Sequence, residues 1–290
     1  MFEFSVVIAV YNRRESLYLT LCALDKTLLH YQQPVEIVVV DDGSTDNPLE
    51  VMFEFQDKFA LQYRWQPHNG FQEALAINRG CAIARGHNFL ITDADILLTP
   101  ESLAHLANII RANPGIIVAG RYDWMLPMKI RPYDIYYNWD KIVDGTLPPA
   151  QFGGNPKGFI GVDPRHISDP HLFDGDRLHT QFAAILFAGV LMFPRAQYTA
   201  LGGFDEQMVG HGGQDCELSI RAQQADYHVI FSGLVHGFHM YHDRDQVANQ
   251  TACNRNVQYI AKKHNLEDVG LYMWHVGNVM GIARAGEKLP

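Results

Sequence analysis

Residues 88–95 read NFLITDAD, an apolar run that ends in two aspartates separated by one alanine. A run without alternating polar residues is typical of a strand that is buried on both faces of a sheet. Two similar runs precede it, FSVVIAV at 4–10 and VEIVVV at 35–40. Helical spacing of apolar residues lies between the runs, for example from Asn69 to Arg85. This alternation predicts an α/β fold with a Rossmann-like, mostly parallel sheet flanked by helices.

Acidic residues follow two of these predicted strands at the point where each strand ends. Asp41 and Asp42 follow the second run, and Asp93 and Asp95 follow the third. Ligands of open α/β sheets bind beyond the carboxyl ends of the strands, so both pairs indicate a binding site there. Two carboxylates one residue apart suit Mg²⁺ or Mn²⁺, and such a cation can stabilise charge on a leaving diphosphate. The alternative for an Asp-x-Asp string is a solvated turn.

Three histidines spaced by three residues, His236, His239 and His242, follow a predicted strand at 227–231. Neutral imidazoles at this spacing can point to the same side of a turn or helix and complete a metal shell. The alternative is that one of them binds a metal and the others are structural. A zinc site made from these histidines alone is disfavoured, because no cysteine joins them at ligand spacing. Two carboxylates follow directly, Asp243 and Asp245.

A glycine-rich stretch at 202–213 precedes a predicted helix at about 214–224. Glycine-rich turns allow a backbone to approach a ligand closely. Asp215, at the start of this helix, has two interpretations. Its carboxylate caps the helix, or it is a general base that deprotonates an acceptor hydroxyl.

Composition and charge restrict the class of protein. The chain has 290 residues, 47% of them hydrophobic, and a formal net charge of -9. These values are typical of a globular protein with a core and disfavour a nucleic-acid binder, which needs a basic surface.

The four cysteines form no CxxC pair, which indicates reduced thiols. No apolar run is long enough for a signal peptide or a transmembrane segment, so we expect a cytoplasmic protein. Peripheral contact with the inner membrane face stays open.

Five strings, in this order, carry a resemblance to known enzymes. FSVVIAVYNRRESL (4–17), VEIVVVDDGSTD (35–46), HNGFQEALAINRGCAIARG (68–86) and FLITDADILLTPESL (89–103) resemble the family 2 glycosyltransferases of the GT-A fold. FAGVLMFPRAQYTALGGFDEQMVGHGGQDCELSIRA (187–222) resembles a block shared by three groups of enzymes. They are the β-1,4-galactosyltransferases, the polypeptide N-acetylgalactosaminyltransferases and bacterial chondroitin polymerase.

The resemblance implies an inverting, metal-dependent enzyme that moves a hexose-type sugar from a UDP-sugar to an acceptor hydroxyl. The implied cofactor is Mn²⁺ or Mg²⁺, and the implied acceptor is a glycan or a lipid-linked oligosaccharide. Asp215 matches the catalytic base of the inverting members. His242, in the string MYHDRD, matches a metal-binding histidine. His239 falls where the galactosyltransferases have a second ligand, and Asp93 and Asp95 match the metal and diphosphate motif.

The resemblance also implies a nucleotide-sugar site. It places Tyr11 and Asp42 against the uracil, with Asp41 supporting the nucleoside, and it makes Gly212 and Gly213 shape the donor-sugar pocket. The implied nucleotide-sugar-binding residues are Ala9, Tyr11, Asp41, Asp42, Asn69, Gln72, Asn78, Asp93, Ala94, Gly212 and Gly213.

The same comparison divides the chain into a GT-A domain at 1–245 and a helical C-terminal extension at 246–290. Within the domain we expect a nucleotide-sugar-binding half at 1–120 and an acceptor and catalytic half at 183–245. Between them, residues 121–182 are rich in Pro, Gly, Asp and aromatic residues, and periodicity fades there. This composition predicts a long, loop-rich insertion that forms a lid or an acceptor site. The alternative is that the segment is disordered.

Two positions depart from the family string Trp-Gly-Gly-Glu-Asp, because His211 replaces the Trp and Gln214 replaces the Glu. Without that neighbouring carboxylate we expect Asp215 to be a weaker base. Retaining transfer is the nearest alternative, although an Asp at 215 favours inversion. A nucleotidyltransferase is disfavoured, since Ala9-Val10-Tyr11-Asn12 stands where a Gly-rich basic loop is expected. A non-catalytic nucleotide-sugar-binding protein also stays open.

Overall fold

The computed structural model describes residues 2–148, 163, 165, 169–180, 186–242 and 246–266. Its strands are β1 (Phe4–Val10), β2 (Glu36–Asp41), β3 (Ala60–Trp65), β4 (Asn88–Asp93), β5 (Ile96–Leu98), β6 (Ile117–Trp124), β7 (Asp176–His179), β8 (Val190–Pro194) and β9 (Val229–His239). Its helices are α1 (Arg14–Thr27), α2 (Leu49–Glu54), α3 (Glu73–Ile83), α4 (Ser102–Ala112), α5 (Pro132–Tyr137), α6 (Trp139–Val143), α7 (Arg195–Leu201), α8 (Gln214–Gln224) and α9 (Gln246–His264).

The strands of the described residues form one nine-stranded sheet in the order β3-β2-β1-β4-β8-β6-β9-β5, with β7 paired to β9. The first half is Rossmann-like, because β3, β2, β1 and β4 are all parallel. The predicted fold class is confirmed in this respect. The second half is mixed, since β8 runs antiparallel to both β4 and β6, whereas β6 and β9 are parallel. The carboxyl ends of β1, β2 and β4 therefore lie at one edge of the sheet.

Helices cover both faces of the sheet, so its central strands are buried on both sides. Val6 and Ile8 belong to one hydrophobic cluster and Val7 to the other, because successive side chains of a strand point to opposite faces. Each such side chain is fully buried and contributes about 1.5–3 kcal/mol. α3 packs closely on one face through Gly80, where a Cβ atom would lie 2.6 Å from Val7 Cγ1. This contact fixes the start of α3 near the carboxyl edge of the sheet.

The structure corrects the prediction for the histidine segment. β9 does not end near 231 but continues to His239, so His236 and His239 lie in a strand rather than after one. The pairing with β6 is interrupted between Gly120 and Arg121, where the partner shifts from Ser232 to His236. The sequence Ser-Gly-Leu at 232–234 breaks the apolar run at this irregularity, which explains why sequence patterning ends the strand early.

Parts of three predictions lie outside the described residues. They are most of 149–168 in the insertion, Asp243 and Asp245 beside the histidines, and the predicted helical extension beyond residue 266. The described part of the insertion contains α5, α6 and β7. Among the described helices, none combines the length and the apolar character needed to cross a membrane.

α9, which sequence patterning assigns to an extension, packs against the rest of the molecule. Cys253, Val257 and Ile260 are buried, at 2%, 1% and 0% exposure. Asn256 Nδ2 donates a hydrogen bond of 2.9 Å to the carbonyl of Gly212 in the glycine-rich loop. α9 therefore buttresses the loop that leads to Asp215.

Candidate active site

Three of the four predicted metal ligands lie together at the carboxyl edge of the sheet. One ligand atom from each of Asp95, His239 and His242 lies within 4.8 Å of the others. His239 Nε2 is 3.6 Å from Asp95 Oδ1, and His242 Nε2 is 3.2 Å from Asp95 Oδ2. Antiparallel pairing sets His239 of β9 opposite Ile96 of β5, next to Asp95. Backbone pairing thus brings residues 144 positions apart into one group.

Contacts on the far side of the His239 ring fix its orientation. Its Nδ1 atom lies 2.9 Å from the Met240 carbonyl, which only accepts, so Nδ1 carries the proton. The lone pair of Nε2 then faces Asp95. The Trp124 ring stacks on His239 with centroids 4.4 Å apart and planes inclined by 18°. A hydrogen bond from the non-ligating ring nitrogen, such as the one from Nδ1 to the Met240 carbonyl, usually orients metal-binding histidines.

The residues present fit a divalent cation. The group offers one carboxylate oxygen and two imidazole nitrogens, a donor set that suits first-row transition metals, whereas Mg²⁺ prefers oxygen ligands. This chemistry favours Mn²⁺ over Mg²⁺. Asp93 is not one of the three; it lies at the end of β4 opposite Ala9, and its charge acts on Glu73 and Tyr122.

His236 contacts a different part of the molecule. Its Nε2 atom lies 3.1 Å from Asp123 Oδ2 on β6. His236 and His239 are three positions apart in a strand, so their side chains point to opposite faces. The spacing of three therefore does not unite all the histidines, and the pair that meets Asp95 is His239 and His242.

Asp215 lies in the first turn of α8, but its side chain does not cap the helix. The N-cap is Gly213, with a left-handed backbone and no side-chain capping bond. Asp215 Oδ2 instead accepts a hydrogen bond of 3.2 Å from the Ala188 amide. Desolvation raises the pKa of this carboxyl to about 6, against the lowering effects of the Ala188 N–H and the Arg165 charge. A carboxylate with this pKa is ionised at neutral pH and is a stronger base than an ordinary aspartate.

The departure at Gln214 has a structural consequence. Its side chain is buried and Nε2 donates to the Gly210 carbonyl, which ties together the two ends of the glycine-rich loop. Burial is the cause that raises the pKa of Asp215 here, in place of a neighbouring carboxylate at 214. Gly212 and Gly213 both have positive φ, and a Cβ at Gly212 would lie 3.0 Å from Cys253 Sγ. Only glycine suits this close approach to α9.

Glu73 is a site residue that sequence analysis missed. It begins α3, and desolvation together with the charges of Asp93, Asp215 and Asp95 raises its pKa well above the usual range. The charges of all three aspartates therefore act on Glu73. The string QEA at a predicted helix start carries no signal that distinguishes this residue from an ordinary first-turn glutamate.

The predicted base-binding residues Tyr11 and Asp42 both lie beside His68. Tyr11 and His68 have centroids 3.9 Å apart and planes inclined by 6°. Asp42 is buried beneath them, with Oδ1 accepting a 2.6 Å bond from Gln66 and Oδ2 lying 3.3 Å from His68 Nδ1. His68 is a second residue that sequence analysis left out of the site.

The neighbouring residue Asp41 makes hydrogen bonds of its own. It accepts hydrogen bonds from the Tyr63 hydroxyl and, at 2.7 Å, from the Ser44 amide. These contacts hold the turn that follows β2.

The other predicted nucleotide-sugar residues differ in their placement. The backbone amide nitrogen of Gln72 lies 3.5 Å from Asp42 Oδ2. Asn69 is exposed, and the Ala94 carbonyl accepts a bond from Thr20. Asn78 makes contacts of another kind, because its amide holds the turn at 203–206 through Phe204 and Glu206.

Two family models match the chain. Residues 5–142 match the model described as glycosyl transferase family 2, and residues 179–243 match the N-terminal domain of galactosyltransferase. Validoxylamine A glucosyltransferase of Streptomyces hygroscopicus subsp. jinggangensis is 27% identical, over 90% of this chain and 60% of its own length. Chondroitin synthase of Pasteurella multocida is 27% identical, over 80% of this chain and 24% of its own. The chain thus spans less than two thirds of these relatives.

Solved structures share the fold. S. aureus TarS 1–349 in complex with UDP-GlcNAc superposes with a TM-score of 0.61 at 15% identity, covering 96% of this chain and 72% of that one. Mannosyltransferase PcManGT from Pyrobaculum calidifontis, in complex with GDP-Man and Mn²⁺, gives 0.58 at 17% identity, covering 97% and 73%. The fold is thus of the GT-A type, with a first half that matches the family 2 glycosyltransferases and a second half that matches the galactosyltransferase domain.

Proposed function

We propose that this chain is an inverting, Mn²⁺-dependent glycosyltransferase that moves a hexose from a UDP-sugar to a hydroxyl of a glycan or lipid-linked acceptor. The observation that carries the proposal is the meeting of Asp95, His239 and His242 at one edge of the sheet. Glu73 links this group to Asp215, since its pKa responds to the charges of both Asp95 and Asp215. This shared electrostatic neighbour supports a single site that contains both the cation and the basic carboxylate.

The donor is proposed from the relatives and from the chemistry of the site. A glucosyltransferase and a chondroitin synthase are similar in sequence, and a structure with UDP-GlcNAc shares the fold. Tyr11 and His68 offer an aromatic surface to a base, and the buried Asp42 carboxylate can accept its N–H. These features support a UDP-hexose as the donor.

The proposed chemistry is one displacement at the anomeric carbon. The acceptor oxygen forms its bond to that carbon as the bond to the diphosphate breaks, through a transition state with oxocarbenium character. The hydroxyl proton goes to Asp215, which the Ala188 amide orients. A cation held by Asp95, His239 and His242 would stabilise negative charge on the departing UDP. The role of the chain is thus positioning and electrostatic stabilisation.

The test begins with a thermal-shift screen of UDP-glucose, UDP-galactose, UDP-N-acetylglucosamine and UDP-glucuronate with Mn²⁺, because a bound ligand stabilises the folded state. UDP release is then measured for the selected donor with oligosaccharide acceptors, and the anomeric proton of the product is examined by NMR. We expect Mn²⁺-dependent release, a product of inverted configuration, and loss of turnover in Asp215→Asn. Donor binding with no UDP release for any acceptor would assign the chain to non-catalytic binding. A retained configuration would contradict the inverting mechanism.

A further inference from the structure

Arg165 is a charged side chain that lies entirely inside the molecule, at 1% exposure. It belongs to the segment 121–182, and its partner is the equally buried Asp163 two positions earlier. Arg165 Nε donates to Asp163 Oδ1 at 3.0 Å, and Nη2 donates to Oδ2 at 2.6 Å. Nη2 also donates to the Gly120 carbonyl at 2.6 Å. The guanidinium thus fastens the insertion to β6.

Aromatic rings surround this guanidinium. Its Cζ atom lies 4.9 Å from the ring centroids of Phe173 and Phe187, 5.5 Å from Tyr122 and 6.0 Å from Phe231. Burying an ion pair in such a place carries a large desolvation penalty, and apolar side chains of similar volume are often equally stabilising. Stability alone therefore does not explain why a cation occupies this position.

The surroundings of Arg165 lead directly to Asp215. Phe187, which contacts the guanidinium, precedes Ala188, whose N–H donates to Asp215 Oδ2. Gly189 follows and packs on Tyr122, where a Cβ atom would lie 2.8 Å from the ring. The segment 187–189 is therefore held between Arg165, Tyr122 and the Asp215 carboxylate. The positive charge of Arg165 also acts on Asp215 and lowers its pKa, against the effect of burial.

We propose that Arg165 is a positioning residue for Asp215: it holds the segment 187–189, whose Ala188 amide orients the carboxylate. This inference rests on the proposed role of Asp215 as the base. It gives the insertion a part in catalysis through residues that do not touch the substrate.

Other titratable groups also face Asp215 and enter any pH dependence. Glu73 on α3 and Tyr122 on β6 both have a pKa that responds to the Asp215 charge. Asp93, at the end of β4, acts on the same two groups. All three are unchanged in the variants below, so differences between variants report on the Asp163–Arg165 pair.

The test compares Arg165→Lys with the double variant Asp163→Asn/Arg165→Gln, which removes both charges and leaves a neutral polar pair. Donor binding by calorimetry shows that each variant is folded, and turnover is measured from about pH 5 to 9. In the double variant we expect turnover to fall about tenfold to hundredfold, since small misplacements have effects of this size, with donor affinity unchanged. On the acid side of the pH profile, turnover of the double variant should decline at a higher pH than that of the wild type. The reason is that Asp215 loses a cation that favours its ionised form. Arg165→Lys should decline at the same pH as the wild type, with turnover reduced by the lost bidentate contact.

A double variant that binds donor and has wild-type turnover and pH profile would overturn the proposal. If the double variant does not fold, Arg165→Lys decides: reduced turnover with an unchanged pH of decline supports the proposal, and wild-type turnover overturns it. Loss of folding in both variants would assign the pair to stability alone and also overturn it. Failure of the proposed function looks different, since the wild type would then release no UDP with any acceptor, or Asp215→Asn would keep wild-type turnover.

Discussion

His242 Nδ1 lies 3.0 Å from the guanidinium of Arg13, 229 positions earlier in the chain. A guanidinium can only donate, so Nδ1 accepts and the proton of a neutral His242 is on Nε2, which faces Asp95. A metal bound at Nε2 requires the other tautomer, with the proton on Nδ1. Metal binding through this atom is therefore incompatible with the Arg13 contact, and Arg13 has to leave His242.

We predict that Arg13→Ala binds Mn²⁺ more tightly than the wild type in the absence of donor. The substitution removes the competing hydrogen bond and also a positive charge beside the site, and both changes favour a cation. The measurement is a Mn²⁺ titration followed by electron paramagnetic resonance. Arg14→Ala is the matched control, because Arg14 pairs with Glu50 at 2.6 Å and not with His242. Weaker Mn²⁺ binding in Arg13→Ala would contradict the tautomer argument.

A second prediction is that Asp215→Asn increases stability while it removes activity. The pKa of Asp215 is about 6 in the folded chain against 3.8 for the ordinary carboxyl. Folding thus favours the protonated form, and this contribution is complete below about pH 4 and lost as the pH rises through about 6. A pKa difference of about two, at about 1.4 kcal/mol each, gives an upper limit of about 3 kcal/mol at pH 8. Chemical denaturation at pH 5 and pH 8 should show a larger advantage of the variant at pH 8. A variant less stable than the wild type at pH 8 would be the opposite result.

A third prediction separates the two neighbouring carboxyl groups. Turnover of the wild type should decline as the pH falls below about 6, because Asp215 then becomes protonated. Glu73→Gln should keep more activity than Asp215→Asn, since desolvation and the charges of Asp93, Asp215 and Asp95 raise the pKa of Glu73 and favour its protonated form, which Gln resembles. Steady-state rates of the two variants, Glu73→Gln and Asp215→Asn, decide the point. A severe loss in Glu73→Gln with activity retained in Asp215→Asn would assign the base to Glu73.

A fourth prediction concerns the Tyr11–His68 pair. His68→Ala should weaken UDP binding about tenfold, because stacking a base on an aromatic ring contributes about 1–3 kcal/mol. Isothermal titration calorimetry with UDP measures this directly. Tyr133→Ala is the control, since Tyr133 is also exposed and lies beside another ring, with its centroid 4.8 Å from that of Tyr137, but belongs to α5. Unchanged UDP affinity in His68→Ala would place the base elsewhere.

Much of the fold could be predicted because the strands are continuous apolar runs that alternate with helices. β1 and β2 lie within one residue of the predicted bounds, and β4 within one residue of its predicted end. β9 was predicted too short because Ser232 and Gly233 interrupt the apolar pattern at a register shift that only the partner strand reveals. Local patterning carries no information about such a shift.

Some residues of the candidate site could likewise be predicted from the sequence, and others could not. The location of Asp95 after a strand and that of Asp215 at a helix start could be predicted from local patterning. Glu73 and His68 could not, because their importance comes from which distant residues surround them. Arg165 was missed for a related reason: a lone arginine in a loop-rich segment is usually exposed, and its burial depends on rings from three other parts of the chain.

The central claim is that His239 and His242 hold the same cation as Asp95. The most direct measurement is electron spin echo envelope modulation of Mn²⁺ bound to the wild type, His239→Ala, His242→Ala and the control His236→Ala. We expect coupling to two histidine nitrogens in the wild type and in His236→Ala, and to one in each of the other variants. Bound Mn²⁺ with no histidine coupling, or with coupling that is lost only in His236→Ala, would contradict the account.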